Sequence, residues 1–244
     1  MLAELGQLCG WAAHDAGQQG LAQRYNITAL RAAHSADDRP LGAHILICMA
    51  EQATREGQPA EAVTFIETAV AGTRGQQTPS LLTSLYSCQA YVWATLRDSS
   101  GCTAAISKAR AHVERIKQDD EPPYLYWVRP GEVTAGAGRC LLQLGHANQA
   151  AALLHEGIAL FDESFVRDRR NYSIRLTEAL AQPGPQRDLD AAASQGMVAI
   201  DLSESLDSAR GNSRLRDLYH QMKPHAKVPA VRDFLERARG LVQV

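Results

Sequence analysis

Ten polar and aromatic residues stand where successive helices of this chain would present them on one side: Gln7, Trp11, His14, His44, Glu51, Arg55, Tyr91, Glu132, Arg139 and Arg170. An indole, a phenol, guanidinium groups and carboxylates along one groove suit recognition of a peptide or polar ligand, because aromatic and arginine anchors carry most of the energy at interfaces. Glu4 and Thr177 fall in the same register. A plainer reading stays open beside this one, in which Trp11 and Tyr91 pack between helices and the charges only solvate the groove.

Catalysis needs a constellation, and the usual ones are missing. There is no Gly-x-x-x-x-Gly-Lys-Ser/Thr phosphate cradle, and His155-Glu156 lacks the second histidine of a His-Glu-x-x-His zinc pair. Gly136-Ala137-Gly138 lies inside a helical pattern with no strand before it, so it reads as a close helix contact and not a dinucleotide loop. No Gly-x-Ser-x-Gly elbow exists, and no cysteine has a histidine at an interpretable spacing. The eight histidines are scattered. The five cysteines (Cys9, Cys48, Cys88, Cys102, Cys140) form no Cys-x-x-Cys pair and read as small buried hydrophobes of a reducing compartment. The expectation is a non-enzymatic chain with no catalytic residue, no metal site and no cofactor.

Composition narrows the partners. The 244 residues carry a net charge of −2, with 45% hydrophobic and 6% aromatic residues, an ordinary balance for a folded chain rich in alanine and leucine. Charge balance of this kind leaves no global footprint for nucleic acid. No run approaches the ~18 apolar residues of a membrane span, and the first residues do not follow a signal-peptide pattern. Cytoplasmic location, no membrane contact and no direct nucleic-acid contact are the expectations.

The elements that would position the groove repeat. Gly17, Gly57, Gly101, Gly145 and Gly184 are separated by 40, 44, 44 and 39 residues. Seven residues before each stands a small residue (Gly10, Ala50, Ala94, Gly138, Thr177). Twelve after, the position is small again in four cases (Ala29, Ala69, Gly157, Gly196), with Val113 the exception. A turn flanked by two helices, each thinned at one contact point, is a helix–turn–helix unit, and its repetition marks an α-solenoid. In the first unit Leu5, Leu8, Ala12 and Ala16 read as one apolar stripe facing Ala22, Tyr25, Ala29, Leu30 and Ala33. Asp98-Ser99-Ser100-Gly101 reads as the third turn, with Thr103 capping a helix that runs to Lys117. Gln118-Asp-Asp-Glu-Pro-Pro123 is the clearest loop. The Tyr124–Trp127 cluster after it suits core or inter-repeat packing better than a ligand cage.

The expected fold is therefore all-α, a right-handed solenoid of about six antiparallel helix pairs, tetratricopeptide-like, with a period of about 40–44 residues. One repeat domain spans 1–244, in units of about 1–40, 41–78, 79–122, 123–163, 164–207 and 208–244. Phe234 and Leu235 at its end either pair across a two-fold axis or cap the core of one chain, so a homodimer stays open.

Several stretches carry a family resemblance. They include Gly10-Trp-Ala-Ala-His-Asp-Ala-Gly17 with Gly20-Leu-Ala-Gln-Arg-Tyr25, and Asp38-Arg-Pro-Leu-Gly-Ala-His44. Gly138-Arg-Cys-Leu-Leu-Gln-Leu-Gly145, Arg167-Asp-Arg169 and Val228-Pro-Ala-Val-Arg-Asp-Phe-Leu-Glu-Arg237 complete the set. Together these resemble the C-terminal region of bacterial transcriptional regulators that carry an Xre-type helix-turn-helix in front of a tetratricopeptide-like array. The resemblance runs from end to end and departs at Asn26-Ile27, where the family has an aromatic. It implies a sensing or oligomerising module whose effector, a peptide, protein or small molecule, sits in the concave groove. DNA reading would belong to a preceding helix-turn-helix. The expectation is either a fragment of such a regulator or a stand-alone relative, a scaffold docking a peptide or a biosynthetic enzyme.

Overall fold

The protein is described by a computed structural model covering residues 1–206 and 208–242. The expected unit limit at residue 207 and the last two residues of the sixth unit, 243 and 244, lie outside the described residues. Among the described residues there are twelve α-helices and no strand. In chain order they are α1 Leu2–Asp15, α2 Gln19–Ser35, α3 Arg39–Arg55, α4 Pro59–Gly72, α5 Pro79–Thr95, α6 Ser99–Val113, α7 Pro130–Gln143, α8 Ala147–Ala159, α9 Val166–Ala181, α10 Leu189–Ser203, α11 Ala209–Met222 and α12 Pro229–Val242. None is long and apolar enough to cross a membrane.

Local chemistry explains where the helices begin. Asp38, Thr78, Asp98, Asp188 and Ser208 each accept a backbone N–H two or three residues into the following helix, which satisfies a donor the helix itself cannot. Pro40, Pro59 and Pro79 occupy the first turn of α3, α4 and α5, where a missing N–H costs nothing. The third turn departs from expectation. Asp98, not Thr103, is the cap, and Thr103 Oγ1 donates to the Ser99 carbonyl inside the helix, which ends at Val113 instead of Lys117.

That shift changes the repeat frame. Gly101 is a helical residue of α6, and the left-handed turn position belongs to Arg97, with φ of +63°. Gly17 and Gly57 hold the same conformation, at +77° and +76°, so the turns Gly17, Gly57 and Arg97 are spaced by 40 residues each. Re-registered on Arg97, the small positions become Ala90 and Ala109, both buried, and the Val113 exception disappears. The next turn, Gly145, follows only after 48 residues.

The chain forms two compact units, Met1–Val133 and Thr134–Val244. In the first, α1 packs on α2, α3 on α4 and α5 on α6, while α3 also meets α1, α2 and α5. Its core runs from Leu41, Ile45 and Ala50 through Ile66 and Leu81 to Leu125 and Val128. The α1 stripe is the reverse of the expected one. Ala3, Gln7, Gly10, Ala13 and His14 face inward, whereas Leu5, Leu8, Ala12 and Ala16 are exposed. The reason is steric: Gly6 and Gly10 let α2 approach so closely that a Cβ at Gly10 would meet Asn26 Oδ1 and one at Gly6 would meet Ala29 Cβ. Tyr25, expected on the facing stripe, is likewise exposed, and Asn26 is buried in its place.

In the second unit the same small-residue logic sets the contacts. A Cβ on Gly157 of α8 would meet the backbone nitrogen of Ala135 in α7, and one on Gly138 would meet Leu154. Gly196 of α10 accommodates the ring of Phe234 from α12. Phe234 and Leu235 are buried in this unit's own core with Ile174, Ile200, Leu215 and Leu218, so the two residues cap their own chain.

Candidate ligand-binding face

Within the first unit, the 40-residue frame puts Trp11, Glu51 and Tyr91 at one equivalent position on α1, α3 and α5. On α3 itself, His44, Cys48, Glu51 and Arg55 follow helical spacing along one line. Trp11 is exposed, Glu51 and Arg55 are half-buried, and Tyr91 is buried. The Arg55 guanidinium sits 5.8 Å from the centre of the Tyr91 ring, a cation–π contact joining the C-terminal ends of α3 and α5.

Gln7 and His14 are occupied with holding helices together. Gln7 Nε2 donates to Cys48 Sγ at 3.4 Å, tying α1 to α3. His14 Nδ1 and Gln19 Oε1 lie 2.7 Å apart. Gln52 Nε2 in turn donates to the backbone oxygen of Gln19 at 2.9 Å and to its side-chain oxygen at 3.2 Å. This amide–imidazole chain fastens α3 to the first turn, and nothing local in the sequence announces it.

His44 is buried. Its ring is stacked on Tyr124 at 5.3 Å, with Trp127 at 6.3 Å. Loss of hydration lowers the imidazole pKa to about 4, only partly offset by the Glu51 carboxylate. Burial likewise pushes the Cys48 thiol up to about 12, which makes it inert as a nucleophile at neutral pH. Burial, helped by the carboxylates of Asp38 and Glu4, holds the Tyr124 phenol protonated. Of the other thiols, Cys88, Cys102 and Cys140 are buried as expected, but Cys9 is exposed on the open side of α1.

The Tyr124 ring belongs to the connector between α6 and α7, residues 114–129. Glu121 Oε2 accepts the Ser80 backbone N–H at 3.2 Å and also the Ser80 hydroxyl, at the first turn of α5. Leu125 and Val128 enter the core, and Tyr126 is exposed. The sequence marks this stretch as a loop. Its docking partners stand 41 residues or more away in the chain, and short-range patterns do not reach so far.

Glu132 stands half-buried in the first turn of α7, and in the second unit Arg139 is half-buried on the same helix. Arg170 has no exposed surface at all. Its guanidinium lies against the Cα of Gly211, where any Cβ would overlap it, and Nη2 donates to Asn171 Oδ1 at 3.2 Å. Thr177 is also buried, donating to the Ser173 carbonyl. A cleft of about 320 Å³ opens between the α7–α8 and α9–α10 turns, lined by His146, Asn148, Gln149, Gln182, Gln186 and Arg187 among others. None of the nominated residues lies in it. Among the described residues, no three His, Cys, Asp or Glu side chains gather as a metal-holding group.

No protein-family model matches the chain. No curated protein matches it in sequence. Solved structures do. A kinesin-light-chain protein of Podosopora anserina, with nearly identical tetratricopeptide-like repeats, is 14% identical with a TM-score of 0.55, covering 83% of this chain and 95% of that one. A single-substitution variant of that protein is 15% identical over the same shares, with the same TM-score. BtubC (BKLC) of P. vanneervenii is 16% identical with a TM-score of 0.55, covering 99% of this chain and 87% of its own. At such identities the likeness concerns architecture, and the architecture is a tetratricopeptide-like helical repeat.

Proposed function

We propose that the chain is a non-enzymatic binding module that takes a peptide or protein segment on the α1–α3–α5 face, and that it serves as the sensor or oligomerisation part of a transcriptional regulator. The observation that carries the binding reading is the repetition of Trp11, Glu51 and Tyr91 at one register position, with Arg55 laid over Tyr91. The accessible part is Trp11 with the half-buried Glu51 and Arg55, residue types that anchor interfaces, while the buried Tyr91 supports the Arg55 guanidinium. Architecture supports the binding half, since repeat arrays offer extended surfaces instead of enclosed sites. The regulator half rests on the sequence resemblance.

Panning the full chain against a displayed peptide library tests the reading. Enriched peptides are expected to lose at least tenfold in affinity on Trp11→Ala or Arg55→Ala, with the helical circular dichroism unchanged. A library that yields nothing, or peptides indifferent to both substitutions, sinks it. Fusing the chain to a foreign DNA-binding domain then tests the sensing role: reporter output should shift when the selected peptide is co-expressed. Binding without a shift leaves a scaffold role instead.

A further inference from the structure

We propose that residues 121–127 are an intramolecular occupant of the binding face, and that the segment it excludes is a peptide carrying a carboxylate three residues ahead of an aromatic ring. The inference rests on the binding function proposed above and names the chemistry of its ligand.

Three observations carry it. The first is the insertion. The turns of the first unit recur every 40 residues, but the interval from Arg97 to Gly145 is 48, and the additional length falls in the connector between α6 and α7. The links from α2 to α3 and from α4 to α5 complete the same step with far fewer residues. The step between helix pairs does not need this length, and the additional residues are held against the unit, with Leu125 buried in its core.

The second is its course. Glu121 is fastened to Ser80 at the start of α5, and Tyr124 is stacked on His44 of α3. Glu4 of α1 lies near enough for its charge to act on the Tyr124 phenol. The segment thus bridges the start of α5 and the middle of α3, and His44, which it covers, is on the same line of α3 as Glu51 and Arg55. The third is its conformation. Glu121 and Pro122 are extended, at φ/ψ of −103°/151° and −56°/130°, as Pro-Pro favours, and Pro123–Leu125 then form a single 3₁₀ turn that carries Tyr124.

The segment therefore displays what this face accepts. A carboxylate takes the N–H and hydroxyl of Ser80 at a helix start, where negative charge is favoured. Two residues of spacing follow, and an aromatic ring then lies on His44. The open remainder of the face, at Trp11, Glu51 and Arg55, is continuous with His44 along α3. A partner bearing the same pair must displace a tethered competitor whose effective concentration is of millimolar order. Wild-type affinity for such a peptide is accordingly weak.

The probe is a fluorescein-labelled, acetylated dodecapeptide reproducing residues 118–129, titrated against the full chain and against Glu121→Ala/Tyr124→Ala by anisotropy. Binding to the double variant at least tenfold tighter than to wild type is expected. So is at least a tenfold loss when the peptide's glutamate is replaced by glutamine. Equal affinity for both proteins, or none for either while the helical signal is intact, overturns the inference. Glu121→Gln, which keeps the shape of the side chain, provides the second variant: it should bind the dodecapeptide at intermediate strength. If both variants lose their helical signal, residues 121–127 are a folding element and the inference fails. Library peptides that bind wild type through Trp11 and Arg55, with a dodecapeptide that binds nothing, would overturn this inference and leave the proposed function standing.

Discussion

Tyr124 and His44, 80 residues apart in the chain, stack with ring centres 5.3 Å apart and planes 25° from parallel. The contact seals the imidazole from water and couples the longest connector of the first unit to α3. Because burial outweighs the charge of the nearby Glu51 carboxylate, the imidazole resists protonation, and this pair makes the fold sensitive to acid.

The sign of that sensitivity is fixed by the shift. His44 has a pKa near 4 in the folded chain against 6.5 when unfolded. Between these values the unfolded chain binds the extra proton, so stability is full above about pH 6.5 and declines as pH falls toward 4. The loss attributable to His44 is roughly 3 kcal/mol across that window. Urea midpoints measured from pH 7 to 4 should show it, and His44→Phe, which keeps a ring on Tyr124 but cannot titrate, should flatten the slope.

The turns give a pair of predictions with opposite signs. At Gly57, φ is +76° and a Cβ would meet nothing within 4 Å, so Gly57→Ala carries only the backbone cost, about 1 kcal/mol of destabilisation. Arg97→Gly relieves the same strain at the equivalent position and should raise stability by a fraction of that, because glycine is freer in the unfolded chain. Thermal melts of both variants read the difference. A destabilised Arg97→Gly would mean that contacts of its side chain outweigh the strain.

Gly157→Ala is the severe case. The added methyl would come within 2.4 Å of the Ala135 nitrogen, which is helix backbone and cannot swing aside. A loss of about 2–3 kcal/mol is expected from forced separation of α7 and α8. Gly20→Ala, where a Cβ meets nothing, should change stability by less than about 1 kcal/mol and serves as the control.

Removing the Asp98 side chain tests the corrected register. Asp98→Ala deletes the acceptor of the Gly101 N–H and should cost about 1 kcal/mol, whereas Thr103→Ala, outside the cap, should be close to neutral. Equal effects in denaturant unfolding would restore the register that Gly101 suggests.

Much of this protein is decided by sequence alone. Apolar periodicity, proline at first turns and small residues at fixed distances from a turn are short-range properties. They determine an all-α array of helix pairs without reference to anything distant. The limits of that reading show at Arg97 and at Leu5. A left-handed residue need not be glycine when a neighbouring carboxylate such as Asp98 caps the next helix, so counting glycines slipped by four positions. On α1, the leucines are the exposed residues, because glycines at 6 and 10 allow closer contact than leucine does, and close contact decides which face turns inward.

Tertiary structure alone decided the rest. The tie from Gln52 to Gln19, the cap from Glu121 to Ser80 and the Tyr124–His44 stack each join residues more than 30 positions apart. The same holds for the burial of Arg170 against Gly211. Hydrogen bonds and ring contacts of that kind depend on distances set by the packing of whole helices, and no local pattern of residue types encodes them.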